Sequence, residues 1–125
     1  MKNALIALIL LIATSAQAEL PSATDTAVRQ ALGSGKPVVI DLGARTCIPC
    51  KKMAPILEGL AGEYRAKASV LFIDVHENAA AAELFKIRMI PTQIFFNAKG
   101  NEVKRHIGAM EKADIVKELK AAGLK

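Results

Sequence analysis

The sequence predicts a mixed α/β fold, a three-layer sandwich in which helices flank a central sheet of about four strands. Two observations lead to this class. Apolar strand-like runs alternate with helical patterns along the chain, and such an order implies right-handed parallel crossovers. Later, two strand-like runs flank a turn-rich stretch at residues 97–101, which predicts an antiparallel hairpin at one edge of the sheet.

The first elements after residue 19 are a short helix and a buried strand. Ser22 or Thr24 can cap a helix that runs to about Leu32, and the glycines at positions 33 and 35 end it. Residues 38–42 are rich in β-branched side chains and almost entirely apolar, as in a strand that is covered on both faces. Asp41 is the single charge in this strand.

A long helix follows and begins beside two cysteines, Cys47 and Cys50. Its apolar side chains repeat with helical spacing and form the expected core face: Met53, Ile56, Leu57, Leu60 and Tyr64. Pro55 lies inside this pattern, where it is expected to bend the helix rather than end it.

The remaining elements alternate in the same way. Residues 70–75 read as a second buried strand, and Asn78 can cap a helix over residues 79–85. Residues 93–96 and 102–107 form the hairpin strands, and an amphipathic helix covers residues 112–122.

Composition excludes several functional classes. The net charge of +5 is modest, aromatic residues make up 4% of the chain, and tryptophan is absent, so we expect no nucleic-acid partner. Two cysteines are too few for a disulfide-stapled domain, a four-cysteine zinc site or an iron–sulfur cluster. His76 and His106 show no metal-ligand spacing with the cysteines, and we expect both to be ordinary surface residues.

The first 18 residues have the three parts of a secretory signal peptide. Lys2 supplies a positive charge, residues 4–13 are an apolar run, and Ala16, Gln17 and Ala18 form a small-x-small cleavage site. We therefore expect residues 1–18 to be a leader, residues 19–125 to be one domain, and the protein to be exported to the periplasm. The alternative is an uncleaved leader that tethers the protein to the membrane.

The position of the cysteine pair predicts redox chemistry. Unpaired N–H groups and the helix dipole stabilise a thiolate at Cys47, and the positive side chains of Arg45, Lys51 and Lys52 add to this effect. Cys50, one turn further along, is suited to attack a mixed disulfide that Cys47 has formed with a partner. A structural disulfide is the weaker interpretation, because so short a loop constrains little of the unfolded chain.

Three sets of residues together resemble the thioredoxin-fold thiol–disulfide oxidoreductases, over about residues 24–122. The first set is the sequence Cys47-Ile48-Pro49-Cys50 followed by Lys51, Ala54 and Pro55; the second is Asp41, six residues before Cys47; the third is Ile90-Pro91-Thr92 with the later Gly108. Two tryptophans usual in the family are replaced by Gly43 and Thr46, and the usual lysine beside the buried aspartate aligns with Phe72.

The resemblance implies roles for these residues. Cys47 and Cys50 are the redox pair, and Asp41 is the internal carboxylate that assists proton transfer at Cys50. The Ile90–Pro91 bond is expected to be cis, and Ile90, Pro91 and Thr92, with Ile48 and Pro49, are expected to bind substrate. Without its lysine partner, Asp41 should be more desolvated, which raises its pKa.

These inferences predict an exported, monomeric thiol–disulfide oxidoreductase that needs no cofactor and no metal. Its expected partners are exported proteins with thiols or disulfides, and a membrane thiol reductase would supply its electrons. We favour the reducing direction because the sequence between the cysteines lacks the histidine of strongly oxidising relatives. The alternatives are a carrier of copper or zinc and a redox-inert binding module on the same scaffold.

Overall fold

Within residues 19–125, eight helices and strands follow one another in the predicted order. The computed structural model describes residues 19–125, and the expected leader, residues 1–18, lies outside the described residues. The elements are α1 (Asp25–Leu32), β1 (Val38–Gly43), α2 (Ile48–Glu63), β2 (Ser69–Asp74), α3 (Ala79–Leu84), β3 (Thr92–Phe96), β4 (Glu102–Ile107) and α4 (Lys112–Ala121).

Two of the helices begin at the expected caps. Oγ1 of Thr24 accepts the N–H of Ala27 at 3.1 Å, which makes Thr24 rather than Ser22 the cap of α1. Oδ1 of Asn78 accepts the N–H of Ala81 at 3.0 Å at the start of α3. None of the helices within residues 19–125 has the length and apolar character needed to cross a membrane.

The four strands form one mixed sheet in the order β2-β1-β3-β4. β1 pairs in parallel with β2, whereas β1–β3 and β3–β4 are antiparallel. The expectation of parallel crossovers is therefore wrong for the connection through α3. That helix has six residues, a rise of about 9 Å, and is too short to carry the chain back along a strand of about 20 Å.

The sheet is covered on both faces, as the apolar strands require. Alternate residues of one strand point to opposite sides, so Val39 packs with α2 and α4 while Ile40 packs with α1 and α3. On the first face, the predicted core residues Met53, Leu57 and Leu60 are buried. Asp41 lies on this same face, beneath α2.

The outer edge of β2 is partly paired by the segment before α1. Ser22 forms an isolated parallel bridge with Phe72, and the N–H of Ala23 donates to the carbonyl of Phe72 at 2.7 Å. Oγ of Ser22 accepts the N–H of Asp74 at 2.9 Å. This segment thus takes the place of a longer edge strand and lies close to the end of the sheet that carries the cysteines.

Candidate active site

The two cysteines occupy the N-terminus of α2, directly after β1 and a short turn. Cys47 is the N-cap residue and is partly exposed, and its Sγ accepts the N–H of Cys50 at 3.4 Å. Cys50 lies in the first helical turn and is 5% exposed. The two are joined by a disulfide, with their Cα atoms 5.2 Å apart. Cys47 is therefore the sulfur that a partner can reach, and Cys50 is the covered one.

Local sequence favours a negative charge on Cys47 in the reduced protein. Pro49 sits in the first turn, where a missing N–H breaks no helical hydrogen bond, and that turn contains no acidic residue. The remaining N–H groups of the turn and the helix dipole are directed towards the N-cap sulfur. Ile48, between the two cysteines, is 71% exposed and presents an apolar surface beside them.

The turn that precedes Cys47 is anchored by Asp74, a residue that sequence analysis did not identify. Oδ2 of Asp74 accepts the N–H of Arg45 at 3.1 Å, and Oδ1 accepts the N–H groups of His76 and Glu77 at 2.8 and 3.3 Å. Burial by itself raises the pKa of Asp74, but these backbone hydrogen bonds outweigh it and hold the pKa below its ordinary value. Its signal in the sequence was a charge at the end of an apolar strand.

Arg45 joins the N-terminal segment, β2 and the active-site turn. Its guanidinium lies 5.1 Å from the centre of the Phe72 ring and pairs with Glu19 at 3.0 Å and Glu77 at 3.6 Å. It also donates to the carbonyl of Leu20 at 3.1 Å, which ties the N-terminal segment to the active-site turn. Two carboxylates thus balance the charge that was expected to act on the cysteine.

Asp41 is fully buried in β1, and its two oxygens have different surroundings. Oδ1 accepts a hydrogen bond from Nε2 of Gln93 at 2.8 Å, whereas Oδ2 has no hydrogen-bond partner among residues 19–125. Burial raises the pKa of Asp41 from 3.8 to about 6, and the hydrogen bond from Gln93 opposes this rise. The direction agrees with the prediction made from the missing lysine.

The unpaired oxygen of Asp41 lies near Cys50 because the residue between them in space is a glycine. A Cβ placed on Gly43 would lie 3.1 Å from Sγ of Cys50 and 3.5 Å from Oδ2 of Asp41. The sulfur and the oxygen therefore adjoin the same small volume, which the missing side chain leaves open. Proton exchange between the two groups needs such proximity.

The loop before β3 reaches the same end of the sheet as the cysteines. Thr92 pairs with Leu42, next to the end of β1, because β1 and β3 are antiparallel. The Ile90–Pro91 bond is cis, as the resemblance implied, and the carbonyl of Pro91 accepts the N–H of Gly108 at 2.8 Å. Within residues 19–125, no turn, loop or cap hydrogen bond engages the backbone of Ile90.

Exposed apolar side chains accompany this loop. Met89 is 62% exposed just before it, and Ile107, which pairs with Thr92 at the end of β4, is 56% exposed. Met110, two residues after Gly108, is buried in the core instead.

The structure corrects the prediction for one of the two histidines. His76 is exposed, as expected, but His106 is partly buried, and its Nδ1 lies 2.9 Å from Oε1 of Gln93. Gln93 itself is fully buried and contacts Asp41 through its amide nitrogen. A polar residue in an otherwise apolar strand was the sequence signal for this contact.

Comparisons with known proteins agree with this geometry. The family model for thioredoxin matches residues 19–121. Thioredoxin from Mycolicibacterium smegmatis is 44% identical over 93 residues, which are 73% of this chain and 82% of that protein. The chain belongs to the thioredoxin family. The bifunctional thioredoxin reductase/thioredoxin of Mycobacterium leprae is 43% identical over 88 residues, which are 70% of this chain and 19% of that longer protein. A mutant thioredoxin from Halobacterium salinarum NRC-1 has a similar structure, with a TM-score of 0.72 and 28% identity, over 82% of this chain and 88% of that one.

As a thioredoxin-family protein with an intact cysteine pair, the chain is a thiol–disulfide oxidoreductase. Its redox group is the Cys47–Cys50 pair itself, so the reaction needs no separate cofactor. In the described part of the chain, no group of three or more His, Cys, Asp and Glu residues is placed to hold a metal ion.

Proposed function

We propose that this protein is an exported reductant of disulfides in other exported proteins. The observation that carries the proposal is the asymmetry of the cysteine pair: Cys47 is accessible at the start of α2, while Cys50 is covered and adjoins a buried carboxylate. This arrangement suits one sulfur to attack a partner and the other to complete the reaction.

The reaction proceeds in two thiol exchanges. The Cys47 thiolate attacks one sulfur of the substrate disulfide, a mixed disulfide forms, and the other substrate sulfur leaves as a thiolate. The Cys50 thiolate then attacks Sγ of Cys47, the Cys47–Cys50 disulfide forms, and the second substrate thiolate leaves. Two electrons pass to the substrate, and the protein ends oxidised.

Asp41 takes the proton from Cys50 in the second exchange. With a pKa of about 6, its carboxyl is mostly ionised at neutral pH and is a stronger base than an ordinary surface aspartate. Its unpaired Oδ2 adjoins the same open volume as the Cys50 sulfur. This oxygen is the proposed acceptor.

The substrate binds beside Cys47 as an extended segment. The backbone of Ile90 is proposed to pair with it in the manner of an added strand, next to Pro91 and Thr92. Ile48 and Pro49 form the other side of the contact, and the exposed apolar surface of Ile48 suits an unfolded or flexible protein segment.

Export and the electron source rest on the sequence. The apolar leader favours secretion, and a disulfide-exchanging protein in an oxidising compartment must be reduced again after each turnover. We infer a membrane thiol reductase as the donor and expect the protein to act as a monomer. Cell fractionation with N-terminal sequencing tests cleavage after Ala18, and a full-length membrane-bound chain would favour the tethered alternative.

The decisive experiment measures both activity and direction. Equilibration with glutathione buffers of known ratio gives the reduction potential of the pair, and a value well below that of the glutathione couple supports a reductant. Insulin reduction is then compared between the wild type, Cys47→Ser and Cys50→Ser. We expect Cys47→Ser to be inactive and Cys50→Ser to accumulate a mixed disulfide. An oxidising potential would refute the proposed direction, and unchanged activity of Cys47→Ser would refute the proposed mechanism.

A further inference from the structure

Three polar side chains form a row across three neighbouring strands. Asp41 on β1 pairs directly with Gln93 on β3, and Gln93 pairs directly with His106 on β4. Residues that are directly opposite each other project from the same face of a sheet, so the three side chains lie side by side. The row runs from the fully buried carboxyl to a partly exposed imidazole at the edge strand.

The middle residue of the row has its hydrogen-bonding groups engaged. Nε2 of Gln93 donates to Oδ1 of Asp41 at 2.8 Å and contacts Sδ of Met53 at 3.2 Å, while Oε1 lies 2.9 Å from Nδ1 of His106. An amide nitrogen has two hydrogens and no lone pair to offer, and an amide oxygen only accepts. The amide therefore stabilises an ionised Asp41 in only one orientation, the one in which its nitrogen faces the carboxylate.

His106 is the group that selects this orientation. With Oε1 of Gln93 facing the ring, Nδ1 must carry a hydrogen and donate it. If the imidazole contact were lost, the buried amide oxygen would lack a strong donor, and rotation of the amide would place an oxygen against Oδ1 of Asp41. Repulsion between the amide oxygen and Oδ1 would disfavour the ionised form of Asp41 and raise its pKa.

We propose that Gln93 and His106 are positioning residues: Gln93 occupies Oδ1 of Asp41, His106 holds the Gln93 amide in that orientation, and Oδ2 is left as the oxygen that accepts the proton of Cys50. The inference rests on the proposed role of Asp41 and adds the residues that orient it. Neither Gln93 nor His106 reacts: each acts through the carboxyl. The hydrogen-bonded oxygen stays an acceptor in both protonation states, so the proton moves between Cys50 and the unpaired oxygen.

The groups that the structure places beside Asp41 include one ionisable side chain, Cys50. Phe72 on β2 is its register partner, Gln93 on β3 is bonded to it and also contacts Met53, and none of these three side chains is ionisable. On β4, Lys104 precedes His106 by two residues on the same face of the strand. If substitution of Gln93 or His106 shifts the pH dependence of the attack by Cys50, the shift therefore shows that the hydrogen-bonded row acts on Asp41.

The test separates the two thiol exchanges in one experiment. Fully reduced protein is mixed with a chromogenic aryl disulfide: attack by Cys47 releases the first coloured thiolate, and attack by Cys50 on the mixed disulfide releases the second. The rate of the second phase is followed from about pH 5 to about pH 8 in the wild type, Asp41→Asn, Gln93→Leu, His106→Leu and His106→Asn. The first phase is the internal control for folding and for Cys47.

We expect Gln93→Leu to move the midpoint of the second phase to higher pH by about one unit or more, because the carboxylate loses its hydrogen bond. His106→Leu should move it in the same direction by a smaller amount. His106→Asn should restore the wild-type profile, because the asparagine amide nitrogen can occupy the place of Nδ1 and donate to the same oxygen. A buried leucine is close in size to glutamine, so the fold is expected to tolerate the substitution.

The outcomes distinguish this inference from the proposal on which it rests. If Asp41→Asn abolishes the pH dependence while Gln93→Leu and His106→Leu both keep the wild-type midpoint, the positioning role is refuted and the role of Asp41 stands. If Asp41→Asn leaves the second phase and its midpoint unchanged, the role of Asp41 is refuted and the positioning role falls with it. If His106→Leu shifts the midpoint and His106→Asn does not restore the wild-type value, the positioning role of His106 is refuted as well.

Discussion

Replacement of the buried carboxyl should stabilise the protein in a pH-dependent way. Asp41 has a pKa of about 6 in the folded protein against 3.8 as the reference value. Between these values the folded state holds a proton that the unfolded state has lost, so stability falls as the pH rises from about 4 to above 6. At about 1.36 kcal/mol per pKa unit, the full loss is about 3 kcal/mol.

The substitution Asp41→Asn removes this loss. The change in the free energy of unfolding caused by the substitution should be about 2.5 kcal/mol more stabilising near pH 7.5 than near pH 4, because about 0.5 kcal/mol of the loss has already occurred at pH 4. The comparison between two pH values matters because the amide also leaves a buried N–H group beside Cys50, a cost that does not change with pH. Urea denaturation of the oxidised proteins, followed by circular dichroism, measures both differences.

Asp74→Asn is the matched control. Asp74 is also buried, but its pKa is lowered, so its carboxylate stabilises the fold at every pH above about 4 and loses that effect only in stronger acid. Its substitution should therefore destabilise the protein by a nearly constant amount between pH 4 and pH 7.5. Equal stability differences for Asp41→Asn at the two pH values would refute the assignment of a raised pKa to this carboxyl.

Further substitutions test the surroundings of the site. Gly43→Ala places a methyl group 3.1 Å from Sγ of Cys50, so it should cost about 1–3 kcal/mol of stability and slow the second release from the aryl disulfide more than the first. Ile107→Asp removes an exposed apolar contact at the substrate end of the sheet; insulin reduction should fall about tenfold, while the reaction with the small aryl disulfide stays close to the wild-type rate. Phe72→Lys restores a cation opposite Asp41, and the midpoint of the second release should move to lower pH by about one unit. An unchanged midpoint in Phe72→Lys would show that a cation at position 72 does not act on the carboxyl of Asp41.

The sequence was sufficient to predict the elements and the reactive residues because each had a local cause. Apolar runs predicted β1, β2 and β3, and the turn chemistry of residues 97–101 predicted β4. The cap at Thr24 and the cysteine pair at the start of α2 required no information on distant contacts. The reversal of β3 was missed because the alternation of strands and helices does not specify the direction of a strand. The short length of α3, which was predicted closely, is what decides it. Gln93 and His106 were missed because their partners are fixed by strand register, which the hydrophobic pattern of a fully buried strand does not specify.

The absence of a lysine beside Asp41 leaves the pKa of this carboxyl high, whereas the hydrogen bond from Gln93 lowers it. A cation beside Asp41 would lower its pKa and weaken it as a proton acceptor, whereas burial without any partner would raise its pKa further and leave more of it protonated at neutral pH. A neutral amide donor lies between these limits, since it stabilises the carboxylate without cancelling its charge. The result is a carboxyl with a pKa of about 6, which is mostly ionised at neutral pH and still basic enough to take a proton from a thiol beside it. The cost in stability and the usefulness of the base therefore have the same origin, which is why Asp41→Asn should both remove the pH-dependent loss of stability and slow the release of substrate.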